Sequence, residues 1–394
     1  MNANEVKQIV DSLPARVRQR ATDYYPHLAR QSFQVRLVKA RPRQFSMLCE
    51  LTIGTADWSQ SLIAKVALQA GETWPWYETD KTQSYFVGSP DPPAGEYTAL
   101  VAFARHVDQQ DDPRFFAVRV LDSLLDDQVL LMEKADARPL SQLLKSASRL
   151  HVGKASTELL EAHRAAGNCL RMFHAMPAGH LRHDRGTTKQ EFLDWLDAGE
   201  QYVQHDPFSR EFFLRICPEV YRAARQLLPD QLPSGPLHDD FAPRNVLVDD
   251  AGRVALIDML EEWTGCTWQD VAHFLVAIET NKLQSLSGGR LFTSPTMHHL
   301  REAFLVGYYG DDAIPRPALA LFESQLALTK WAAAVHRLRT AGGWRGVLKR
   351  RQLALSLRWY AKYIERCLAR ARQPSANDAA SAEPELELSA GGAL

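Results

Sequence analysis

Cysteine is scarce. The 394 residues hold five, Cys49, Cys169, Cys217, Cys266 and Cys367. The number is odd, the spacings are wide and no C-x-x-C pair occurs, which excludes a disulfide framework and a thiolate zinc site. Buried free thiols in a reducing compartment are the expectation. Long apolar runs are missing too: no segment approaches the ~18 consecutive apolar residues of a spanning helix. The first twenty residues are charged, broken by Pro14, and lack the apolar stretch of a secretory leader. Nor is one sign of charge in excess. Lys and Arg number 46 against 47 Asp and Glu, a net charge of −1. A globally basic nucleic-acid binder and an acidic solvating chain are both excluded, and charge-driven binding has to come from a local patch. The expectation is a cytoplasmic protein that binds no nucleic acid.

What is present is an ordinary globular balance, 45% hydrophobic and 24% charged, at a length suiting two or three domains of ~150 residues. Residues 5–30 read as helix interrupted at Pro14 and Pro26. Three β-type runs follow at 33–39 (FQVRLVK), 45–53 (FSMLCELTI) and 60–68 (QSLIAKVAL), separated by short breaks, as in an antiparallel meander. A loop-like stretch rich in Gly and Pro covers 69–95, and a helix is expected from about Pro93. Two further strands are expected at 115–121 (FFAVRVL) and 128–133 (QVLLME). After Glu133 the spacing turns helical at 139–148, 155–176, 189–203 and 208–228, and again from about Trp268 to Arg372. One non-helical window interrupts it, in which NVLV (245–248) and RVALI (253–257) flank the turn Asp249-Asp250-Ala251-Gly252, a hairpin signal. Residues 373–394 are small, polar and acidic, as in a disordered tail.

That window, LHDDFAPRNVLVDDAGRVALID, carries the chemistry. It holds His238-x-Asp240, Asn245 five residues after Asp240, and Asp258 thirteen residues after Asn245. The hairpin brings Asn245 near Asp258. Phosphoryl transfer needs such parts: a carboxylate to orient the acceptor hydroxyl and take its proton, and an amide oxygen with a second carboxylate to hold Mg²⁺ against nucleotide phosphates. A carboxylate directly after VALI sits at the end of a buried strand, where an unpaired charge is costly. The bland alternatives are a turn aspartate at Asp240, a cap at Asn245, a snorkelling lysine at Lys65 and a helix N-terminal acid at Glu96.

H-x-D-x-x-x-x-N followed by a strand ending in I-D resembles the catalytic segment of aminoglycoside phosphotransferases and choline kinases, which share the protein-kinase-like fold. The resemblance extends over about residues 33–310. It implies an α+β, bilobal fold: a small lobe with a five-stranded antiparallel sheet plus helix, and a large, mainly helical lobe. The corresponding division is 1–133 for the N-terminal helical segment and nucleotide-binding small lobe, 134–372 for the catalytic and acceptor-binding lobe, and 373–394 for the tail. It implies Asp240 as the catalytic base and Asn245 and Asp258 as Mg²⁺ ligands. Lys65, at the end of LIAK, is implied as the phosphate-binding lysine paired with Glu96, and Met132 and Glu133 as nucleotide-binding hinge residues. His238 and Asp270, the latter in WQDVAHFL, are implied as supports of the catalytic loop. The donor is ATP, with GTP as an alternative, and the acceptor a small hydroxyl-bearing molecule. Two departures stand out. Asp239 replaces the small residue common in the family, and the 39–46 segment expected to cover the phosphates has no glycine.

Glu261, Glu262 and Trp263 follow Asp258 as candidate acceptor contacts, suited to a cation or to a sugar ring. Residues 344–372 contain nine Lys or Arg and one acid, Glu365. They read as a last helix packed with a basic outer face, or as a peripheral contact with anionic lipid. Two other functions therefore stay open: a kinase of a lipid-linked or cell-envelope saccharide, and a nucleotide-binding pseudokinase scaffold. The sequence leaves the oligomeric state undetermined.

Overall fold

The computed structural model describes residues 3–43, 46–68, 92–124, 128–150, 156–177, 183–185, 187–203, 207–259, 263–290, 292, 294–340 and 343–372. The expected tail at 373–394, the centre of the glycine-free loop, and Glu261 and Glu262 lie outside them.

Alternation of apolar and polar side chains builds the first sheet. Strands β1 (Gln34–Pro42), β2 (Ser46–Gly54) and β3 (Ser59–Ala67) form an antiparallel meander. Strands β4 (Val120–Leu124) and β5 (Val129–Glu133) complete the order β1-β2-β3-β5-β4. Successive side chains point to opposite faces. Cys49, Leu51, Ile53, Leu62, Ala64, Val66, Val129 and Leu131 therefore share one face, covered by helix α1 (Ala3–Tyr24). Lys65, Leu130 and Met132 fall on the other, toward helix α2 (Pro92–Gln110).

Helix α1 runs unbroken through Pro14, where the sequence suggested an interruption. Val6, Val10, Leu13, Val17 and Ala21 form one buried stripe on the sheet. Burial of a Val or Leu side chain stabilises by about 1.5–3 kcal/mol, which outweighs the backbone bond that the proline forgoes. The run FFAVRVL departs from expectation as well. It is divided between two sheets: only its end belongs to β4, while Phe115 bridges Val254 and the Phe116 N–H donates to the Val254 carbonyl. Phe115 and Val118 are buried in the core beneath α2.

Beyond Glu133 helices dominate. In chain order they are α3 (Leu140–Leu150), α4 (Thr157–His174), α5 (Lys189–Val203), α6 (Pro207–Leu227), α7 (Trp268–Glu279), α8 (Lys282–Leu286), α9 (Ser294–Tyr309), α10 (Arg316–Thr340) and α11 (Gly343–Ala371). The hairpin forms as expected, β9 (Val246–Val248) against β10 (Val254–Leu256), with β6 (Arg138–Pro139) on the outer side of β9. A second small sheet, β7 (His183–Arg185), β11 (Trp263–Cys266) and β8 (Ser234–Leu237), was not legible in the sequence. One core runs continuously from α2 through β5, α4, β9, β10, α7 and α9; a second joins α5, α6, α10 and α11. Helices α4 and α9 meet backbone to backbone: a Cβ on Gly307 would lie 2.1 Å from the Arg164 carbonyl oxygen. All five cysteines are free and buried.

No helix among the described residues is long and apolar enough to cross a membrane. On α11 the side chains of Tyr363, Ile364, Cys367, Leu368 and Ala371 are buried in the second core and Trp359 is buried outside it, while Arg358 and Lys362 face outward. From Trp359 onward, the apolar face that a lipid surface would need is used inside the protein.

Candidate active site

Asp270, in the first turn of α7, is fully buried. Its two carboxylate oxygens accept the backbone N–H groups of His238 (2.7 Å) and Asp239 (2.9 Å), and His174 Nε2 lies 3.1 Å away. Burial pushes this carboxyl upward, but His174 and the donors around it outweigh that and hold it below its ordinary range. The loop after β8 is thereby pinned. His238 is buried between Phe173 and Phe241, and its Nε2–H donates to the Ile257 carbonyl at 3.1 Å. Asp239 has φ +64°, a left-handed conformation that Asp tolerates better than most residues and glycine best of all. That is the physical reason a small residue suits this position.

The pinned turn presents Asp240. Asn245 Nδ2 donates to the Asp240 carbonyl (2.9 Å) and to its Oδ2 (3.0 Å). With the amide nitrogen so committed, no described residue donates to Asn245 Oδ1, which stays available as an acceptor. The hairpin register sets Val246 opposite Leu256, and the Ile257 N–H donates to the Asn245 carbonyl at 3.0 Å. Asp258 follows at φ +63°, and this turn carries its side chain to Lys65. Lys65 Nζ contacts both Asp258 Oδ1 and Glu96 Oε2, the latter at 2.6 Å. Burial works against the Lys65 charge, but Glu96 and Asp258 outweigh it, so its pKa is raised. Burial pushes Glu96 up to about 7 even though Lys65 pulls it down. Both partners thus titrate higher than usual, Glu96 through burial and Lys65 through its two carboxylates.

Two groups at Asp240 were not singled out from sequence. Arg244 forms an ion pair with Asp240 Oδ1, and His273 Nε2 lies 3.5 Å from the same oxygen. His273 Nδ1 is 3.1 Å from the Asp239 carbonyl, which can only accept, so Nδ1 carries the proton. Burial, with Lys330 adding, pushes His273 down to about 4, leaving it neutral with its Nε2 lone pair toward Asp240. Burial raises Asp240, and His273, in its protonated form, together with Arg244 more than offsets it, so the carboxyl sits low. Arg244 lies inside the motif itself, and His273 is three residues after Asp270 on one helix face; both signals were present.

Met132 is buried on the cleft face of β5. Glu133 alternates to the other face, where Tyr25 Oη–H (2.8 Å) and Arg119 (2.7 Å) engage its carboxylate. Trp263 belongs to β11 through its backbone; with Glu261 and Glu262 undescribed, the acceptor residues are not located. The structure thus brings Lys65, Glu96 and Asp258 into one chain of contacts, and Asp240 and Asn245 into another, joined through the hairpin and Ile257. A Mg²⁺ ion takes six oxygen ligands and keeps several as water or phosphate. One amide oxygen and one carboxylate, with the remaining positions left to water and phosphate, fit that donor set. No group of three or more metal-ligating side chains occurs among the described residues.

Among curated proteins nothing matches the chain. Solved structures do. Aminoglycoside phosphotransferase APH(4)-Ia is similar at 12% identity, covering 91% of this chain and 99% of that one, with a TM-score of 0.51. A thermostable mutant of the same enzyme, in ternary complex with ADP and hygromycin B, is similar at 11% identity, covering 90% and 100%, with a TM-score of 0.50. A choline/ethanolamine kinase family protein from Mesorhizobium loti matches at 14% identity over 89% and 99%, with a TM-score of 0.46. The two aminoglycoside phosphotransferase structures show the bilobal, kinase-like α+β fold. The phosphotransferase enzyme family, APH, matches residues 75–318, more than half of the sequence, a span that holds Glu96, Asp240, Asn245, Asp258 and Asp270 and begins after Lys65; the chain belongs to that family.

Proposed function

We propose that this phosphotransferase moves the γ-phosphoryl group of Mg·ATP to a hydroxyl of a small molecule. The observation that carries the reading is the contact chain Glu96–Lys65–Asp258 standing beside the braced pair Asp240–Asn245. In this reading Lys65, fixed by Glu96, contacts the α- and β-phosphates, and Met132 lines the nucleotide side of the cleft. Asn245 Oδ1 and Asp258 hold Mg²⁺, which supplies neutralisation of the phosphate charge. With Asp258 engaged by the metal, the Lys65 ammonium would be available to phosphate. Asp240 orients the acceptor hydroxyl. Held ionised beside Arg244, it is a weak base, so it takes the proton as the new bond to phosphorus forms rather than before. His238 and Asp270 keep the loop in place.

The test is a thermal-shift titration with ATP or GTP, with and without Mg²⁺, followed by an acceptor panel of aminoglycosides, choline-type amines and sugars. A ligand at a hundred times its Kd stabilises by about 2.7 kcal/mol. Asp258→Ala should lose the Mg²⁺-dependent part of the shift. Asp240→Ala should keep it and lose about a thousandfold in kcat. No shift with either nucleotide would overturn the reading, near-normal turnover by Asp240→Ala would overturn the role assignment, and binding without turnover on any acceptor would favour a nucleotide-binding scaffold.

A further inference from the structure

Helix α7 carries the loop brace Asp270 in its first turn and ends at Glu279. At that far end lies a separate cavity of about 150 Å³, and none of Lys65, Glu96, Asp240, Asn245 or Asp258 lines it. Its frame is rigid. Gln284 is buried and spends its side chain on the rim: the Phe292 N–H donates to Oε1 (3.1 Å), and Nε2 donates to the Phe292 carbonyl (3.1 Å). Gly289, at φ +83°, lies flat on the Trp359 indole, where a Cβ would come within 2.5 Å of the ring. The indole N–H in turn donates to the Glu279 carbonyl at 2.7 Å.

Charged side chains surround the cavity, buried within and half-exposed at its mouth. Buried Glu323 accepts both Arg301 Nη atoms (2.8 Å each) and Arg370 Nη2 (2.8 Å), with Tyr363 as a further donor. Arg366 stacks on Trp359 and stands 3.5 Å from Glu279 Oε2. Arg301 and Arg370 thus match Glu323 and Glu279, and Arg366, half-exposed at the mouth, adds one further positive charge. Two buried polar atoms also lack a hydrogen-bond partner: Glu279 Oε2, on a residue 5% exposed, and Arg370 Nε. One requires a donor and the other an acceptor. Water can offer both; an oxyanion that carries an O–H offers both as well and in addition meets the Arg366 charge at the mouth.

We propose that this cavity binds a small oxyanion carrying its own O–H group, a hydroxycarboxylate or a hydrogen phosphate, with the anionic oxygens on Arg366 and Arg370 and the O–H donated to Glu279. A cavity of 150 Å³ is of the size that admits a benzene ring, so such a ligand fits. The site is independent of which acceptor the enzyme phosphorylates.

The test uses the full chain and isothermal titration at matched ionic strength. Glycolate is compared with acetate, and phosphate with sulfate, each pair differing in the O–H donor. Saturable binding of glycolate or phosphate is expected, about tenfold or more tighter than its donor-less counterpart, the worth of one charge-assisted hydrogen bond. The member that binds names the source. Arg366→Ala, at a half-exposed position, should weaken binding about tenfold, and Glu279→Gln should erase the preference for the donor, because an amide can itself donate. Melting curves without ligand check that both variants fold. Equal binding within each pair, no saturable binding, or unchanged phosphate binding in both variants, which would put the anion in the nucleotide cleft, overturns the proposal.

Discussion

Replacing Glu96 by glutamine removes one titrating group from the Glu96–Lys65–Asp258 chain and leaves Lys65 its second partner. The carboxyl of Glu96 titrates at about 7 in the folded protein against an ordinary 4.5. The chief cause is burial; Asp258 adds to it and Lys65 opposes it. Because the folded value is raised, the folded protein binds this proton more tightly than the unfolded chain. The associated stability is complete below pH 4.5 and is lost as pH rises through about 7. At 1.36 kcal/mol per pH unit its full size is on the order of 3 kcal/mol, of which about 2 kcal/mol disappears between about pH 5.5 and 8. Glutamine does not titrate. The stability of the parent minus that of Glu96→Gln should therefore fall by about 2 kcal/mol over that range. Urea unfolding followed by tryptophan fluorescence measures the difference, and every titration common to the two proteins cancels. A difference that stays constant with pH, or one that rises, refutes the argument that burial outweighs the lysine.

Other perturbations read different parts of the molecule. Gly307→Ala places a Cβ 2.1 Å from the Arg164 carbonyl oxygen and should force α4 and α9 apart, costing about 1–3 kcal/mol by urea unfolding. Asp270→Ala strands the N–H groups of His238 and Asp239 and should cost about 3 kcal/mol. In the same variant kcat should fall while nucleotide affinity, followed by thermal shift, is kept. Tyr25→Phe removes the donor to Glu133 at the junction of α1 and β5. It should lower stability by about 1 kcal/mol and leave nucleotide affinity unchanged, since that carboxylate faces away from the cleft.

Much of this architecture was legible in the chain. The β-type runs FSMLCELTI and QSLIAKVAL were legible as strands of an antiparallel meander, and the hairpin signal at Asp249–Gly252 brings Asn245 beside Asp258. Those inferences rest on local backbone geometry, which sequence encodes directly. The errors share a different origin. Pro14 reads as a helix break because its missing N–H is a local fact, whereas the buried stripe that carries the helix through it is a tertiary one. FFAVRVL has the composition of one strand, but nothing local says that Phe115 will find Val254 while Val120 finds Met132. Short strands such as β7 and β11 have no periodicity of their own and exist through their partners.

Glu133 shows the limit in a single residue. Its place at the end of QVLLME matched the hinge, yet parity decides which way its carboxylate points. Leu131 and Glu133 share the face that α1 covers, and Tyr25 and Arg119 take the charge there. In Val129-Leu130-Leu131-Met132 both parities are apolar and both are buried, so the sequence could not assign that face; the carboxylate's direction and its partners required knowing that α1 folds over it. The same holds at the base. Asp240 is identified by spacing, but its acidity is set by Arg244, four residues on, and by His273, from a helix thirty residues away. The spacing of a motif fixes which group can act, and the packing of distant helices fixes the protonation state in which it acts.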